Sequence, residues 1–504
     1  MSMPAEHVTT KPTLADLLQG FADAPSIVIE NISSDSRALK PGDLFLACGG
    51  DNSHGLDYID DALAAGVAAI VWDSSTASRP DCDVGIPMVA VPGLAQHLGE
   101  IASRFYARPS SALRVIGITG TNGKTTVAWL IAQCCELLEQ SCGYIGTLGY
   151  GVGSIDGAEG MTTPGAIELH AHLADFRDAG AACAAIEVSS HALAQGRVDG
   201  IEFETVLFTN LSRDHLDYHG DMQRYADAKA RLFQVSKAKH RIINLDSDFG
   251  TELAGRCGQA VVVVSTKVDR VANGRPFVFV RSVVAQTNGW RVTVSSSWGD
   301  GEFTLPLPGD FNVANAVIAL AYFLQQGVPI TTVCDALAFV SAPPGRMQRI
   351  TAAEDLPAVY IDYAHTPEAV DLALRALKAH LKGRLWCVFG CGGDRDPGKR
   401  PQMGTLAERH ADQLIITNDN PRYEDPASIV ADIVAGLAKP EAATIIEDRA
   451  AAIAWVIREA AADDVVLIAG KGHENYQLLG DQRLNFSDFE VASANLARKA
   501  EANN

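Results

Sequence analysis

The chain has 504 residues, 47% hydrophobic and 20% charged, with a formal net charge of −20. That length exceeds one ordinary core and suggests three domains at about 100–200 residues each, with a globular composition. The acidic balance argues against a general nucleic-acid or anionic-membrane surface, which would need a basic patch, but leaves small anionic ligands open.

Residues 1–110 mix the strand patterns "SIVIE", "DLFLACGG", "AAIVWD" and "PMVAV" with helix-like stretches, and "YARPSSA" reads as a linker. Residues 111–343 open with the buried-strand pattern "LRVIGIT", a glycine loop and an apolar helix from Thr125 to about Glu139. The runs "AACAAIEVS", "TVLFTNL", "HRIINLDS" and "AVVVVS" follow. Short apolar runs separated by helical patterns predict a parallel sheet with helices on its faces. From about Pro276 to Leu307 the pattern alternates without helices, which predicts a small antiparallel meander. "FNVANAVIALAYFLQQG" then returns to a helix, and Pro343-Pro344-Gly345 ends the region because it cannot continue one. Residues 344–504 carry "AVYIDYA", "RLWCVFGC", "DQLIITN", "ATIIED" and "DVVLIAG" between helical stretches, a Rossmann-like open sheet. The predicted class is therefore α/β in three domains. The ten cysteines show no Cys-x-x-Cys pair and read as buried small hydrophobes of a reducing compartment. With no signal-peptide core or membrane-length apolar run, a cytoplasmic protein is expected.

In open α/β sheets, ligands bind beyond the carboxyl ends of the strands. Here those ends read "GTNGKTT", "EVSSH", "NLSRDHLDYH", "DYAHTP", "GCGGDRD", "TNDNPRYEDP" and "GKGHE", which predicts a site in a cleft between domains. "GITGTNGKTT" (117–126) reads as a phosphate loop, although Gly117 sits one residue too early for the general P-loop spelling. Gly120 and Gly123 permit tight backbone angles, Lys124 can reach the β/γ-phosphates, and Thr125 can ligate Mg²⁺. Glu187 at a strand end can serve a hard cation directly or through water. His215 is a second candidate, but chemistry alone leaves Asp214, Asp217 and His219 as equal rivals. Lys229, in the amphipathic pattern "YADAKARLF", reads as a solvated lysine. Asn315, Arg346 and Asp362 are polar residues near the second boundary. Arg422, after the Asn420-Pro421 turn signal, can grip a carboxylate through two parallel hydrogen bonds, but taken alone it reads first as an exposed turn arginine, and the same reading stands for Arg395 and Glu474.

Together these segments, with "GDFNVANA" and "PPGRMQ", resemble the Mur ligase family along essentially the whole chain. The resemblance implies an N-terminal UDP-substrate domain, a central ATPase domain and a C-terminal diamino-acid domain. It implies ATP-dependent addition of meso-diaminopimelate to the D-glutamate of UDP-MurNAc-L-Ala-D-Glu through an acyl phosphate, in cytoplasmic peptidoglycan precursor synthesis, by a monomer using Mg²⁺. "DNPR" (419–422) points to that amine rather than L-lysine. An L-lysine-adding relative and a P-loop regulatory ATPase are the alternatives. Carried over residue by residue, Gly120, Thr121, Asn122, Gly123, Lys124, Thr125, Thr126, Asn315, Arg346 and Asp362 match ATP positions. Thr125, Glu187, His215 and a carbamylated Lys229 match the metal site, and Lys124, Lys229, Glu187 and His215 the catalytic set. Ser34, Ser36, Asp51, Asn52 and Ser53 match the uridine end. Thr162, Thr163, Ser189, Gln195 and Arg197 match the muramoyl-dipeptide contacts. Arg395, Asp419, Asn420, Pro421, Arg422, Gly470 and Glu474 match the diaminopimelate pocket.

Overall fold

The computed structural model describes residues 11–50, 53–78, 84–155, 160–235, 238–267, 272–286, 289–350 and 355–503. Packing divides the chain into two compact units, Met1–Thr121 with Glu139–Arg241, and Asn122–Leu138 with Ile242–Asn504.

In the first unit, β1 (Ile32–Ser33), β2 (Leu44–Ala47), β3 (Ala69–Asp73) and β4 (Met88–Val91) form a four-stranded parallel sheet in that order. Its side chains alternate between two cores: Leu44, Leu46, Ala69 and Val71 on one face, Phe45, Ala47, Ile70 and Trp72 on the other. Burial on both faces is why these strands read as continuous apolar runs. The expected first strand, "SIVIE", is corrected: pairing begins at Ile32, and Val28 makes only an isolated bridge to Thr13.

The same unit holds β5 (Arg114–Thr119), β6 (Cys142–Gly146), β7 (Gly149–Val152), β8 (Cys183–Glu187) and β9 (Phe203–Phe208), ordered β9-β5-β8-β6-β7. All are parallel except β7, which turns back on β6. The β6–β7 pair is absent from the sequence reading because its glycines dilute the apolar signal. They are there for space: a Cβ on Gly143 would stand 2.2 Å from the Phe176 ring.

In the second unit, β10 (His240–Asn244), β11 (Val262–Ser265) and β12 (Phe277–Gln286) are parallel, and β13 (Gly289–Ser296) and β14 (Gly299–Leu305) complete the expected antiparallel meander. The helix Asp310–Gln325 is buried along most of its length. Beyond it, β15 (Gln348–Ile350), β16 (Ala358–Asp362), β17 (Leu385–Phe389), β18 (Gln413–Ile416), β19 (Thr444–Ile445) and β20 (Val465–Ala469) form a sheet ordered β15-β16-β20-β17-β18-β19. Only β15 is antiparallel. A hairpin, β21 (Tyr476–Leu479) and β22 (Gln482–Asn485), follows β20.

The nine described cysteines are all free, seven of them buried, and burial pushes the Cys134 and Cys387 thiols up to about 12. Among the described residues no helix is long and apolar enough to cross a membrane.

Candidate active site

The phosphate loop starts where β5 ends. Gly117 lies within β5, opposite Ile186 and Val206, and a Cβ there would stand 2.7 Å from the Phe203 ring. It is a packing glycine of the strand, which explains why it falls outside the loop spelling. Gly120, at φ +149°, is the first glycine of the loop itself; its Cβ would meet Thr209 Oγ1 at 1.9 Å. The backbone passes this close to the β9 exit because Thr121 N donates to Asn210 O (2.8 Å) and Ser212 N donates to Thr121 Oγ1 (3.0 Å).

Lys229 corrects the reading of a solvated lysine. It is 1% exposed, its Nζ donates to Gly120 O at 2.7 Å, and that nitrogen lies 4.4 Å from the centre of the Tyr225 ring. Tyr225 in turn shares a hydrogen bond with Thr121 Oγ1 (3.1 Å) and faces the His215 ring at 6.1 Å. His215 sits at φ +52°, exposed, with Asp214 3.4 Å away. Its rival His219 is buried and hydrogen-bonded to Ser190 Oγ (3.0 Å), and Asp214 and Asp217 are exposed. Burial, then the neighbouring histidines, lower the pKa of His191 and His219.

Glu187 closes β8 beside β5, paired with Ile118, and is fully buried. Its Oε1 accepts from Tyr144 Oη (2.5 Å) and Thr147 N (3.0 Å), and its Oε2 from Thr147 Oγ1 (3.2 Å). Gly146 is required here, since a Cβ would stand 2.1 Å from Glu187 Oε1. Thr163 Oγ1 donates to Glu187 O (2.6 Å) and accepts from Ser189 N (3.0 Å). Arg197 donates to Thr163 O (2.9 Å) and through Nε to Gln195 Oε1 (2.8 Å), and Gln195 donates to Tyr218 Oη (3.2 Å). Thr162 joins through Thr147 Oγ1 at 3.2 Å. The first unit thus gathers Gly120, Thr121, Glu187, His215 and Lys229 with the expected dipeptide residues. Ser34 and Ser36 follow β1 and Ser53 follows β2, at the carboxyl ends of adjacent strands. Asp51 and Asn52 lie outside the described residues.

In the second unit, Gly123 (φ +85°) precedes the helix Lys124–Leu137, which starts with Lys124 and the buried Thr125 and Thr126. A Cβ on Gly123 would stand 2.4 Å from Asn315 Oδ1, so the helix start packs against Asn315. Asn315 is oriented by its hydrogen bond to Asn312 Oδ1 (3.1 Å). Asp362 ends β16 and accepts from Met347 N (2.7 Å) and Ala364 N (2.8 Å). Burial raises its pKa, against the pull of Arg346, whose guanidinium lies over Tyr363 at 4.8 Å. Gly345 (φ +66°) lets the Pro-Pro-Gly turn press on the loop after β20, where a Cβ would stand 2.1 Å from His473 N.

Burial, then Arg346, holds His473 down at about 4, against an ordinary value of 6.5. The unfolded chain therefore takes up a proton there before the folded chain does. Stability from this residue is fully present above pH 6.5 and is lost as pH falls toward about 4. We expect the melting temperature to fall across that window and His473→Asn to flatten part of the fall; identical slopes for both proteins would remove His473 as a cause.

The carboxyl ends of β17, β18 and β20 bring a second group together. Asp419 and Asn420 are buried, and Asn420 Nδ2 donates to Glu474 Oε2 (2.9 Å). Gly470 (φ +118°) passes Asp419 so closely that a Cβ would stand 2.5 Å from its Oδ2. Arg422, at φ +55°, donates from a terminal nitrogen to Gly393 O (2.8 Å). Arg395 is exposed, and both arginines border Gly392. The hairpin holds this segment: Arg422 N donates to Leu478 O (3.1 Å), Gly480 N to Arg422 O (2.7 Å) and Gln477 Nε2 to Asp419 O (2.7 Å).

Three family models match successive parts of the chain. They are the Mur ligase family catalytic domain over residues 28–106, the Mur ligase middle domain over 118–323 and the Mur ligase glutamate ligase domain over 345–472. A UDP-N-acetylmuramoyl-L-alanyl-D-glutamate–2,6-diaminopimelate ligase of Pseudomonas aeruginosa is 46% identical over 473 residues, 94% of this chain and 96% of its own length. The chain belongs to the Mur ligase family.

A Coxiella burnetii ligase of the same name is 44% identical over 92% of this chain and 95% of its own. A solved structure of that name superposes with a TM-score of 0.71 at 33% identity, covering 97% of this chain and 99% of its own, so the three-domain α/β Mur ligase fold extends over the chain. At the level of fold alone, a Mycobacterium tuberculosis folylpolyglutamate synthase complexed with ADP and AMPPCP matches with a TM-score of 0.60 at 20% identity, covering 80% of this chain and 95% of its own.

Two residues of this Mur ligase escape the sequence reading. Tyr225 looks like an apolar position of an amphipathic helix, yet its hydroxyl meets the phosphate loop, and burial pushes that hydroxyl up to about 12. Lys471 is fully buried between Asn420 and Glu474. Its place in "GKGHE" between two glycines was the available signal.

Proposed function

We propose that this Mur ligase joins meso-diaminopimelate to the D-glutamate of UDP-MurNAc-L-Ala-D-Glu, consuming ATP and releasing ADP and phosphate, as a step of peptidoglycan precursor synthesis. The observation that carries the choice of amine is the Asp419–Arg422 segment, which with Glu474 and Arg395 sets two acids, an amide and two arginines near Gly392 and Gly470. A substrate with two carboxylates and two amines is complementary to such a set. On this reading the enzyme works in the cytoplasm as a monomer, with domains at residues 1–110, 111–343 and 344–504.

A carboxylate is a poor electrophile because its charge repels nucleophiles. One carboxylate oxygen attacks the γ-phosphorus, the bond to ADP breaks, and the acyl phosphate has a leaving group. The amine nitrogen then attacks the acyl carbon, the carbon–oxygen bond to phosphate breaks, and the nitrogen gives up a proton. In this scheme the loop amides of 120–124 and Lys124 hold the phosphates, with Asn315, Arg346 and Asp362 around the nucleotide. Thr163, Ser189, Gln195 and Arg197 hold the dipeptide, while Asn420, Arg422 and Glu474 orient the amine.

The donors present fit Mg²⁺. In the first unit the Glu187 carboxylate is a hard oxygen donor and His215 adds one nitrogen; in the second, the Thr125 hydroxyl is a further hard oxygen. Lys229 as an ammonium is no ligand, but its buried nitrogen beside Gly120 O becomes an oxygen donor once carboxylated by CO₂. When bound, the ion would offset the negative charge of the reacting groups.

Purified protein given ATP, the UDP-dipeptide and either diamino acid tests the assignment. Phosphate release is expected with meso-diaminopimelate; release with L-lysine alone would overturn the choice of amine, and release without any amine would favour a regulatory ATPase. Arg422→Ala should raise KM for diaminopimelate about 10- to 100-fold, the worth of charged hydrogen bonds, and leave KM for ATP near its original value.

A further inference from the structure

We infer that Lys471 is a positioning residue for binding of the incoming amine, an inference that rests on the ligase reading above. Lys471 is fully buried directly after β20. Its Nζ donates to Asn420 Oδ1 (3.0 Å) and Glu474 Oε2 (3.2 Å) and lies 5.5 Å from the centre of the Tyr476 ring. Burying an ammonium is costly unless it is paired and hydrogen-bonded, and here a carboxylate and an amide oxygen accept from it, with an aromatic ring nearby.

Stability alone does not account for such a residue. A buried ion pair is often matched or bettered by apolar side chains of similar volume. What the lysine adds is orientation. Asn420 Oδ1 accepts from both Lys471 Nζ and Leu478 N (3.0 Å). Two donors on one side of the amide fix which end is oxygen, so Nδ2 must face Glu474. Glu474 Oε2 then receives both Lys471 and Asn420, and its side chain keeps 17% exposure. Among the described residues no hydrogen bond is made to its other oxygen, Oε1. The lysine thereby holds a carboxylate with one oxygen committed and one presented, the form that accepts a substrate ammonium. Without Lys471, the Asn420 amide keeps only Leu478 N on its oxygen and Glu474 Oε2 keeps only Asn420, so the carboxylate is held by one bond in place of two, while the phosphate loop is untouched.

Steady-state kinetics of the full-length enzyme test this through a double-mutant cycle of Lys471→Met and Glu474→Gln. Lys471→Met is expected to raise KM for meso-diaminopimelate about 10- to 100-fold, with KM for ATP and for the UDP-dipeptide within about twofold. Because the lysine acts through Glu474, the double variant should show a KM close to that of Glu474→Gln alone. Multiplying effects, or a KM unchanged by Lys471→Met, would overturn the inference, as would a uniform rise in all three KM values. Should Lys471→Met not fold, Lys471→Gln, which keeps a donor, goes through the same cycle under the same criteria. A failure of the unaltered enzyme to ligate meso-diaminopimelate at all would instead count against the ligase reading.

Discussion

Lys229→Ala is expected to lower kcat by about 10³-fold, the scale of removing one preorganised electrostatic group, with short carboxylic acids restoring part of the rate. The reason is the position of the nitrogen. It is 1% exposed and lies against Gly120 O and the Tyr225 ring, at the base of the phosphate loop. An unmodified ammonium there would attract phosphate but repel a metal. A carbamate reverses that role, adding a carboxylate at the end of a long arm within the group that also holds Glu187 and His215. Alanine removes the arm without opening the loop, because Thr121 remains tied to Asn210, Ser212 and Tyr225. Intact-mass and kinetic measurements check both halves: the unaltered protein should carry the mass of one added CO₂, and acetate or formate should raise the variant's rate. Full activity in Lys229→Ala would remove the residue from the reaction.

Gly120→Ala is expected to cost at least about 100-fold in kcat/KM for ATP, the scale of misplacing a reacting group by about 1 Å. The new Cβ would stand 1.9 Å from Thr209 Oγ1 and 3.0 Å from Asn210 N and O, at a backbone angle of φ +149° that side chains rarely adopt. The threonine side chain can rotate, but the Asn210 backbone cannot yield without moving the end of β9. A strained residue of this kind also costs about 1–3 kcal/mol of stability. Gly117→Ala is the matched control. Its Cβ would press on the Phe203 ring, inside the sheet, so its melting temperature should fall while KM for ATP stays near the original. If both variants lose ATP affinity equally, the distinction between a strand glycine and a loop glycine fails.

Much of this architecture is legible from composition because its parallel strands are buried on both faces. Continuous apolar runs such as "RLWCVFGC" and "DVVLIAG" announce themselves, and the polar residues after them mark the ligand side. The missed elements share one physical trait. The strands β6 and β7 carry glycines that make room for Phe176 and Glu187, and β21 and β22 are short and partly exposed, so neither pair has a run to read. The site is legible in proportion to how far each role depends on local sequence. Gly120, Gly123 and Lys124 follow from one short segment. Lys229 does not, because a helix pattern records which face is buried but not that a lysine on that face meets a carbonyl of the phosphate loop 109 residues earlier. Lys471 escapes for the same reason: its partners are Asn420, on another strand end, and Glu474, in its own loop.

The hairpin after β20 has a further consequence for how this enzyme can change. It grips the Asp419–Arg422 segment largely through its own main chain: Leu478 O accepts from Arg422 N, Gly480 N donates to Arg422 O and Leu478 N donates to Asn420 Oδ1. Main-chain grips are indifferent to which side chains the hairpin carries, and Leu479 and Leu484 are about half exposed. The hairpin is therefore a natural place for drift and for library design: its outward residues can be rewritten while the arginine behind them stays at the same angle.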